Sequence, residues 1–172
     1  MAPPPPPATR LKGYPSVSGF AGEPVNTATG NYVSEFTDMI EATPGLPLDV
    51  TRWYNSYDAN TVVGPFGHGT SWIYNMTVIW QPDKTAVVRM PDGHSAYYIG
   101  EIDPADPGNL AGTYTGQYED IGTLVRAADG TGVLTLPDQT QYYFNAAGRL
   151  TRITSPYPDE INTVSYTHLT LP

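Results

Sequence analysis

Two histidines are the first residues to consider for metal chemistry. His68 and His94 each lie in a glycine-rich turn. A zinc site needs three or four ligands at short spacings, and neither histidine has a partner His at i+2 or i+4 or a carboxylate cluster beside it. We therefore interpret both as exposed turn residues, and we predict no metal ligand and no cofactor.

An acidic loop is a second candidate for ion binding. The segment Glu101-Ile-Asp-Pro-Ala-Asp-Pro-Gly-Asn109 carries carboxylates that could hold Ca²⁺ weakly. It lacks the ligand spacing of an EF-hand, and its prolines restrict the chain. A solvated turn is therefore the favoured interpretation.

The usual catalytic motifs are missing from the sequence. Gly64-Pro-Phe-Gly-His-Gly69 contains Gly-x-Gly, but no helix follows it to hold a phosphate. The chain has no Cys and no G-x-S-x-G elbow, and none of its 17 acidic residues stands out as half of a catalytic pair. We predict that the protein is not an enzyme. Trp53 could stack on a sugar, with core packing or an inter-strand contact as the alternative.

The net charge of the chain restricts the partners that it could bind. The chain has 172 residues, with 8 Lys and Arg against 17 Asp and Glu, for a net charge of −9. Nucleic acids and anionic membrane surfaces would repel such a chain, and no apolar run is long enough to span a bilayer. We predict no nucleic-acid partner and no membrane span.

Short alternating apolar runs separated by Gly, Pro and Asp indicate the elements that must position any site. Period-two alternation in aromatic and β-branched residues is typical of strands. Val33–Ala42 is predicted as a strand followed by a turn, with one helical turn as the alternative. The other predicted strands are Leu48–Tyr54, Ser71–Trp80, Thr85–Met90, Ser95–Ile99, Leu124–Ala127, Val133–Leu136, Gln141–Phe144 and Leu150–Ile153. This spacing predicts an all-β protein, an antiparallel meander of hairpins.

One pattern repeats within the chain. Met90-Pro-Asp-Gly93 is followed by paired tyrosines at 97 and 98, and Leu136-Pro-Asp-Gln139 by a pair at 142 and 143. Proline at the second turn position, and a residue tolerating positive φ after Asp, suit a tight hairpin. The echo predicts repeated hairpins that each bury a face on their neighbour.

Several motifs resemble those of bacterial RHS/YD-repeat proteins. Gly22-Glu-Pro-Val-Asn-Thr-Ala-Thr-Gly-Asn31 resembles the motif that opens the family's DUF6531-like N-terminal domain. Leu46-Pro-Leu-Asp-Val-Thr-Arg-Trp-Tyr-Asn55 is similar to the next segment, and Phe66–Trp72 to a glycine-rich turn before a buried tryptophan. Tyr142-Tyr-Phe-Asn-Ala-Ala-Gly-Arg-Leu150 resembles a single YD repeat in which Asn145 replaces the usual Asp. Asn and Asp both cap turns, so this turn is expected to be kept.

The resemblance implies a set of structural residues rather than catalytic ones. Positive φ is expected at Gly148, burial at Leu150 and exposure at Arg149. The matching positions are Gly22, Pro24, Val25, Asn26, Thr29, Gly30, Arg52, Tyr54, Trp72, Tyr142, Phe144, Gly148, Arg149 and Leu150.

The same resemblance implies a function and a location. Family members build a hollow β-shell, often around a C-terminal toxin, and this segment resembles the part that opens the shell. The expected protein is a non-catalytic structural segment of an exported bacterial protein, a polymorphic-toxin or surface-interaction protein at the cell surface or outside the cell. Its expected partners are the remaining YD repeats and the C-terminal domain of the full-length chain. A carbohydrate-binding extracellular module is the alternative.

The expected organisation has four parts. Residues 1–19 form a proline-rich flexible arm, residues 20–130 the N-terminal RHS/YD domain, and residues 131–163 the first YD-type repeat. Residues 164–172, Val-Ser-Tyr-Thr-His-Leu-Thr-Leu-Pro, match one reading frame of a common sequencing adapter. We interpret them as an assembly artefact and the chain as a fragment of a longer repeat protein.

Overall fold

The chain folds almost entirely into antiparallel strands. The computed structural model describes residues 20–21, 25–27, 30–42, 46–60, 62–117, 122–156 and 160–162. Within these ranges, two short 3₁₀ turns, Ser56–Asp58 and Ile73–Asn75, interrupt the strands. The strands β1 to β16 are Phe20–Ala21, Val25–Asn26, Val33–Glu41, Leu48–Asn55, Val63–Gly64, Gly67–His68, Thr70–Trp72, Thr77–Trp80, Thr85–Arg89, Ser95–Gly100, Gly112–Gly116, Thr123–Arg126, Gly132–Thr135, Gln141–Phe144, Leu150–Thr154 and Glu160–Asn162. The predicted all-β meander of hairpins is confirmed.

The strands form two main sheets and two small ribbons. A three-stranded sheet has the order β3-β4-β7, and the pairs β1-β2 and β5-β6 stand beside it. All strands from β8 to β16 follow one another in a nine-stranded sheet in which each strand pairs with its neighbour in sequence. Hairpin connections of this kind need only short turns.

The large sheet curls until its two sides nearly meet. Thr77 at the start of β8 forms a bridge with Arg149, just before β15. Val78 N donates to Gly148 O at 2.8 Å, and Leu150 N donates to Met76 O at 3.3 Å. Strands β8 to β15 thus form a nearly closed, barrel-like sheet with a seam between the first and the eighth strand.

The inward face of this sheet is the core of the molecule. Alternate residues of each strand point inward, as in β9, where Ala86 and Val88 are buried. Tyr114, Leu124 and Leu134 are fully buried on the neighbouring strands. The complete buried cluster is Met76, Val78, Ala86, Val88, Ala96, Tyr98, Tyr114, Leu124, Leu134, Phe144, Leu150 and Ile153.

One turn design recurs at five hairpins of the described chain. One residue near the end of each turn adopts positive φ, and in four of the turns the residue before it is an Asp whose Oδ1 accepts the backbone N–H two residues later. The positive-φ residues are Lys84 (62°), Gly93 (89°), Gly130 (87°), Gln139 (68°) and Gly148 (75°). The internal echo seen in the sequence is therefore part of a larger series.

Most predicted strands are present within one residue at either end. The strand predicted at Val33–Ala42 is confirmed as β3, with a bulge between Thr37 and Met39. The single strand predicted at Ser71–Trp80 is wrong. Its first part is β7 of the small sheet and its last part is β8 of the large sheet, with the second 3₁₀ turn between them. The buried residue of β7 is Ser71, whereas Trp72, expected to be buried, lies on the other face and is half-buried.

Two further observations bear on the predicted organisation. The large sheet is continuous from β12 to β13, across position 130, where the two predicted domains meet. Among the described residues, no helix has the length and apolar character needed to cross a membrane. The predicted arm at 1–19 and the segment 164–172 lie outside the described residues.

Candidate functional site

A cluster of buried polar side chains joins the small sheet to the large one. We call it the polar junction and define it as Asn31, Asn55, Asp58, Ser71, Arg89 and Asp92. All but Arg89 are buried, although buried polar groups are costly unless they are hydrogen-bonded. The junction is therefore held together by specific partners.

The turn after β2 places the first member. Asn26 N donates to Asn31 O at 2.8 Å, and Gly30 N donates to Asn26 O at 2.7 Å. Gly30 adopts φ +73°, which favours glycine. These bonds close a compact turn in which Asn26 and Asn31 have no solvent exposure.

Asn31 then binds the segment that follows β4. Its Oδ1 accepts hydrogen bonds from Ser56 Oγ at 2.9 Å and from Tyr57 N at 3.2 Å. Tyr32 N donates to the same Ser56 hydroxyl, and Ser56 N donates to Tyr32 O, both at 2.9 Å. Four hydrogen bonds thus connect Asn31 and Tyr32 to the 3₁₀ turn that follows β4.

Asn55, the last residue of β4, links three segments. Its Oδ1 accepts from Tyr57 N at 3.1 Å and caps the first 3₁₀ turn. Its backbone N donates to Gly69 O at 2.8 Å, and its Nδ2 donates to Asp92 O at 3.1 Å. The last bond reaches the turn between β9 and β10, so Asn55 ties the small sheet to the large one.

A second link is an ion pair. Arg89 Nη2 lies 2.6 Å from Asp58 Oδ2, and the Asp58 side chain is only 4% exposed. Ser71 Oγ also donates to Pro91 O. Three separate bonds, from β4, the 3₁₀ turn and β7, therefore converge on the β9–β10 hairpin.

Gly93 allows this close approach. It has φ +89°, and a Cβ there would lie 2.7 Å from Asn55 Nδ2 and 3.0 Å from Asp58 Oδ2. Next to it, His94 Nδ1 lies 2.6 Å from Asp92 Oδ1. The prediction that His94 is an exposed turn residue is wrong, because its carboxylate partner holds it half-buried against the junction. His68, by contrast, is exposed.

The hydrogen bonds and the ion pair of the polar junction are suited to connecting the two sheets. The bonds given above are donor–acceptor pairs within the protein, which hold the side chains in fixed positions. Among the described residues, no group of three or more His, Asp or Glu side chains could hold a metal ion. The arrangement can fix the geometry of two sheets, which is a structural role.

Two predicted motif residues, Arg52 and Trp72, lie outside the junction on one outer surface of the small sheet. Arg52 binds Asp38 through two nitrogens, at 2.7 and 3.1 Å, which raises the pKa of its guanidinium. It also lies over the rings of Phe36 and Phe66, at 5.2 and 5.9 Å from their centroids. Trp72 packs edge-on against Phe66 at 5.5 Å.

Two aromatic residues singled out from the sequence have partners on this sheet. The Tyr54 ring lies 6.1 Å from that of Tyr32. Trp53 is half-buried, and its Nε1 donates to Glu35 Oε2 at 3.1 Å. This hydrogen bond to β3 is an inter-strand contact, which was the alternative to sugar stacking by Trp53.

The YD-like residues lie in the wall of the large sheet. Phe144 and Leu150 are buried in the core, whereas Arg149 is exposed. Gly148 has φ +75°, and Asn145 Oδ1 accepts from Arg149 N at 3.0 Å, so the turn is kept. Burial raises the pKa of Tyr142 above its ordinary value.

Of the remaining motif residues, Val25 lies near the junction and three others lie outside the described residues. Val25 pairs with Ala21 and bridges to Tyr32. Gly22, Pro24 and Thr29 lie outside the described residues.

Sequence reasoning missed most of the junction. The motifs contain Asn31 and Asn55 and the predicted Pro-Asp turn contains Asp92, but the sequence gives no sign that these residues meet Asp58, Ser71 and Arg89. The usable signal was the run of short polar residues at strand ends, because such residues cap turns.

No curated protein matches the chain. Residues 22–98 match the family described as "Domain of unknown function (DUF6531)", and that stretch contains every residue of the polar junction.

Proposed function

We propose that this chain is a non-catalytic structural segment that opens the β-shell of an exported bacterial RHS/YD-repeat protein, used in competition or surface interaction. The match at residues 22–98 supports the assignment of the first part to a DUF6531 domain. The shell role depends on how the large sheet continues after that domain.

One observation carries the proposal, and it concerns β15. On one side, β15 pairs with β14 along its length. On the other side, its start bonds to β8 through Arg149 and Leu150, whereas Arg152 to Thr154 pair with β16. The start of β15 thus closes the ring onto β8, whereas its end pairs with β16 instead. In the proposed shell, the sheet would continue from this point as a spiral.

The polar junction supports the same role. It fixes the small sheet to the β9–β10 hairpin by hydrogen bonds and an ion pair. Directional bonds of this kind set orientation. In a shell, these bonds would hold the small sheet in one position against the large sheet.

Hydrogen exchange tests the proposal. The backbone amides of β16 are measured in this chain and in a longer chain that includes the downstream segment of the gene. We expect β16 to become at least tenfold more protected in the longer chain, because a following strand pairs with it. The amides of β12 serve as the control and should stay protected in both. Unchanged exchange at β16 would contradict the shell role.

A further inference from the structure

The outer surface of the small sheet carries aromatic and apolar side chains that remain open to solvent in the described part of the chain. Phe36, Arg52 and Trp72 are cross-strand partners on β3, β4 and β7, so they share this face of the sheet. Farther along the same face, Met39 and Leu48 are 46% and 41% exposed. A continuous apolar surface of this kind marks an interaction site.

The opposite face of the sheet does not serve the same purpose. Its residues Thr51, Asn55 and Ser71 are buried, and the last two belong to the polar junction. Because side chains alternate between the two faces of a strand, the outer residues point away from the junction. The outer surface therefore needs a partner other than the large sheet.

The rings on this surface stand at steep angles to one another. Phe66 and Trp72 have centroids 5.5 Å apart and an interplanar angle of 89°, and Tyr32 and Tyr54 have centroids 6.1 Å apart at 59°. Ridges of aromatic rings with grooves between them are the usual recognition surface for a polyproline II segment. The Trp72 indole N–H and the Tyr54 hydroxyl can also donate hydrogen bonds to the carbonyls of a proline run.

The chain itself contains a segment of this chemistry. Pro3–Pro7 is a run of five consecutive prolines, which favours the polyproline II conformation. The run belongs to residues 1–19, which lie outside the described residues and directly precede β1. Ala21 of β1 pairs with Val25, and Val25 bridges to Tyr32, so the chain enters the small sheet at the Tyr32 end of the outer surface.

The proline run is close enough in sequence to reach the whole surface. Pro7 precedes Phe20 by 13 residues (20 − 7), which span about 40 Å in an extended conformation. The outer surface extends along β4 from Tyr54 to Leu48, six residues (54 − 48) or about 20 Å. The connection therefore allows the prolines to lie anywhere along β4.

The charges of the two parts are complementary. Residues 1–19 contain Arg10 and Lys12 and no Asp or Glu. Strands β3 and β4 contain one basic residue, Arg52, against four acidic residues, which are Glu35, Asp38, Glu41 and Asp49. Opposite net charges attract the basic segment to the small sheet.

We propose that Pro3–Pro7 binds the outer surface of the small sheet of its own chain, with Arg10 and Lys12 beside the acidic residues of β3. A segment connected to its site is present at a local concentration in the millimolar range, so weak contacts between proline and aromatic rings suffice. This interaction goes beyond the shell role and is independent of it, because it involves neither the seam nor β16.

Paramagnetic NMR on the full chain tests the proposal. The chain has no Cys, so Ala8→Cys provides a single site for a nitroxide label next to the proline run. We expect the label to reduce the amide signals of Phe36, Met39 and Trp72 by about half or more, since a bound segment brings it close to them. The amides of β13 in the large sheet should lose less signal.

The decisive variants change either side of the contact in the labelled chain. Replacing all five residues of Pro3–Pro7 with serine should remove most of the signal loss at the outer surface. Phe36→Ala should weaken it as well. Ile40→Ala is the matched control, because Ile40 is 58% exposed on the same strand but pairs with Asp49 on the opposite face. It should behave like the parent chain, and the dispersion of the amide spectrum verifies that each variant is folded.

Several results would overturn the proposal. It is wrong if the label leaves the outer-surface amides unchanged, if the serine variant shows the same signal loss, or if folded F36A and I40A behave alike. A mixture of labelled chains with isotope-enriched, unlabelled chains tests the source of the contact. Equal signal loss in the mixture would show that the segment binds a second copy instead, and would also overturn the proposal. None of these outcomes depends on hydrogen exchange at β16.

Discussion

The two main sheets bury their residues in different ways. In the large sheet, Leu124 and Leu134 are completely excluded from water by the curled strands. In the small sheet, β3 leaves Phe36, Met39 and Ile40 exposed by 46%, 46% and 58%. The small sheet therefore has little apolar core of its own and depends on the polar junction for its position. Apolar closure supplies most of the stability, whereas the polar bonds supply orientation.

The largest loss of unfolding free energy is expected for a substitution at the seam of the large sheet. A Cβ at Gly148 would lie 2.0 Å from Val78 O, the backbone oxygen beside the closing hydrogen bonds. Gly148→Ala should lower the unfolding free energy by about 3–5 kcal/mol, measured by urea denaturation. Gly130→Ala is the control, because Gly130 has a similar φ of +87° and its nearest neighbour is the Ala146 Cβ at 3.3 Å. It should cost about 1–2 kcal/mol. Equal costs would show that the seam does not constrain the turn.

The next effect is expected in the polar junction. Asp58→Ala leaves Arg89 without its carboxylate in a largely buried position, and should cost about 3 kcal/mol. Asp38→Ala removes the exposed partner of Arg52 and should stay within about 0.5 kcal/mol. The measurement is the same denaturation series. If Asp58→Ala costs no more than Asp38→Ala, the polar junction does not contribute measurably to the stability of the protein.

A smaller effect is expected on the outer surface of the small sheet. Trp72 is half-buried between Phe66 and Tyr74, whose ring centroids lie 5.5 and 4.8 Å away. Trp72→Ala should cost about 2 kcal/mol, below the range for a fully buried tryptophan. Ile40→Ala on the exposed strand should stay within about 0.5 kcal/mol. Comparable losses would mean that β3 is covered in solution.

The smallest effect is a change in pH dependence. Burial, followed by the nearby Asp138 and Tyr74, raises the pKa of Tyr142 above its ordinary value of 10.0. The folded protein therefore favours the neutral phenol, and the resulting stability is present below pH 10.0 and lost as pH rises through the folded-state pKa. Tyr142→Phe should make the alkaline decline in unfolding free energy shallower. An identical decline in both proteins would contradict this assignment.

The predictability of the two sheets differs for a physical reason. The strands of the large sheet alternate buried and exposed residues, so period-two patterns located β9, β10, β12, β13, β14 and β15 to within one residue at either end. The strand β11, Gly112–Gly116, was missed because it has a glycine at each end and only one buried residue, Tyr114. The boundary between β7 and β8 was missed because alternation carries no information about which sheet a strand joins.

The candidate site was harder to predict than the strands. Asn55 and Asp92 are 37 positions apart, and nothing in their local sequence indicates that they meet. Polar residues at strand ends are common in turns, so burial distinguishes the junction from ordinary caps only once the fold is known.

The seam has a consequence for folding kinetics. Most strand pairs of the large sheet join neighbours along the chain, and such local contacts form quickly. The bridge between Thr77 and Arg149 instead joins residues 72 positions apart (149 − 77), so its formation must wait until the intervening hairpins have brought the two ends together. We expect the hairpins to form before the transition state and the seam after it. Disturbing the seam should then speed unfolding while leaving the folding rate nearly unchanged, which makes the seam the determinant of how long the folded state lasts.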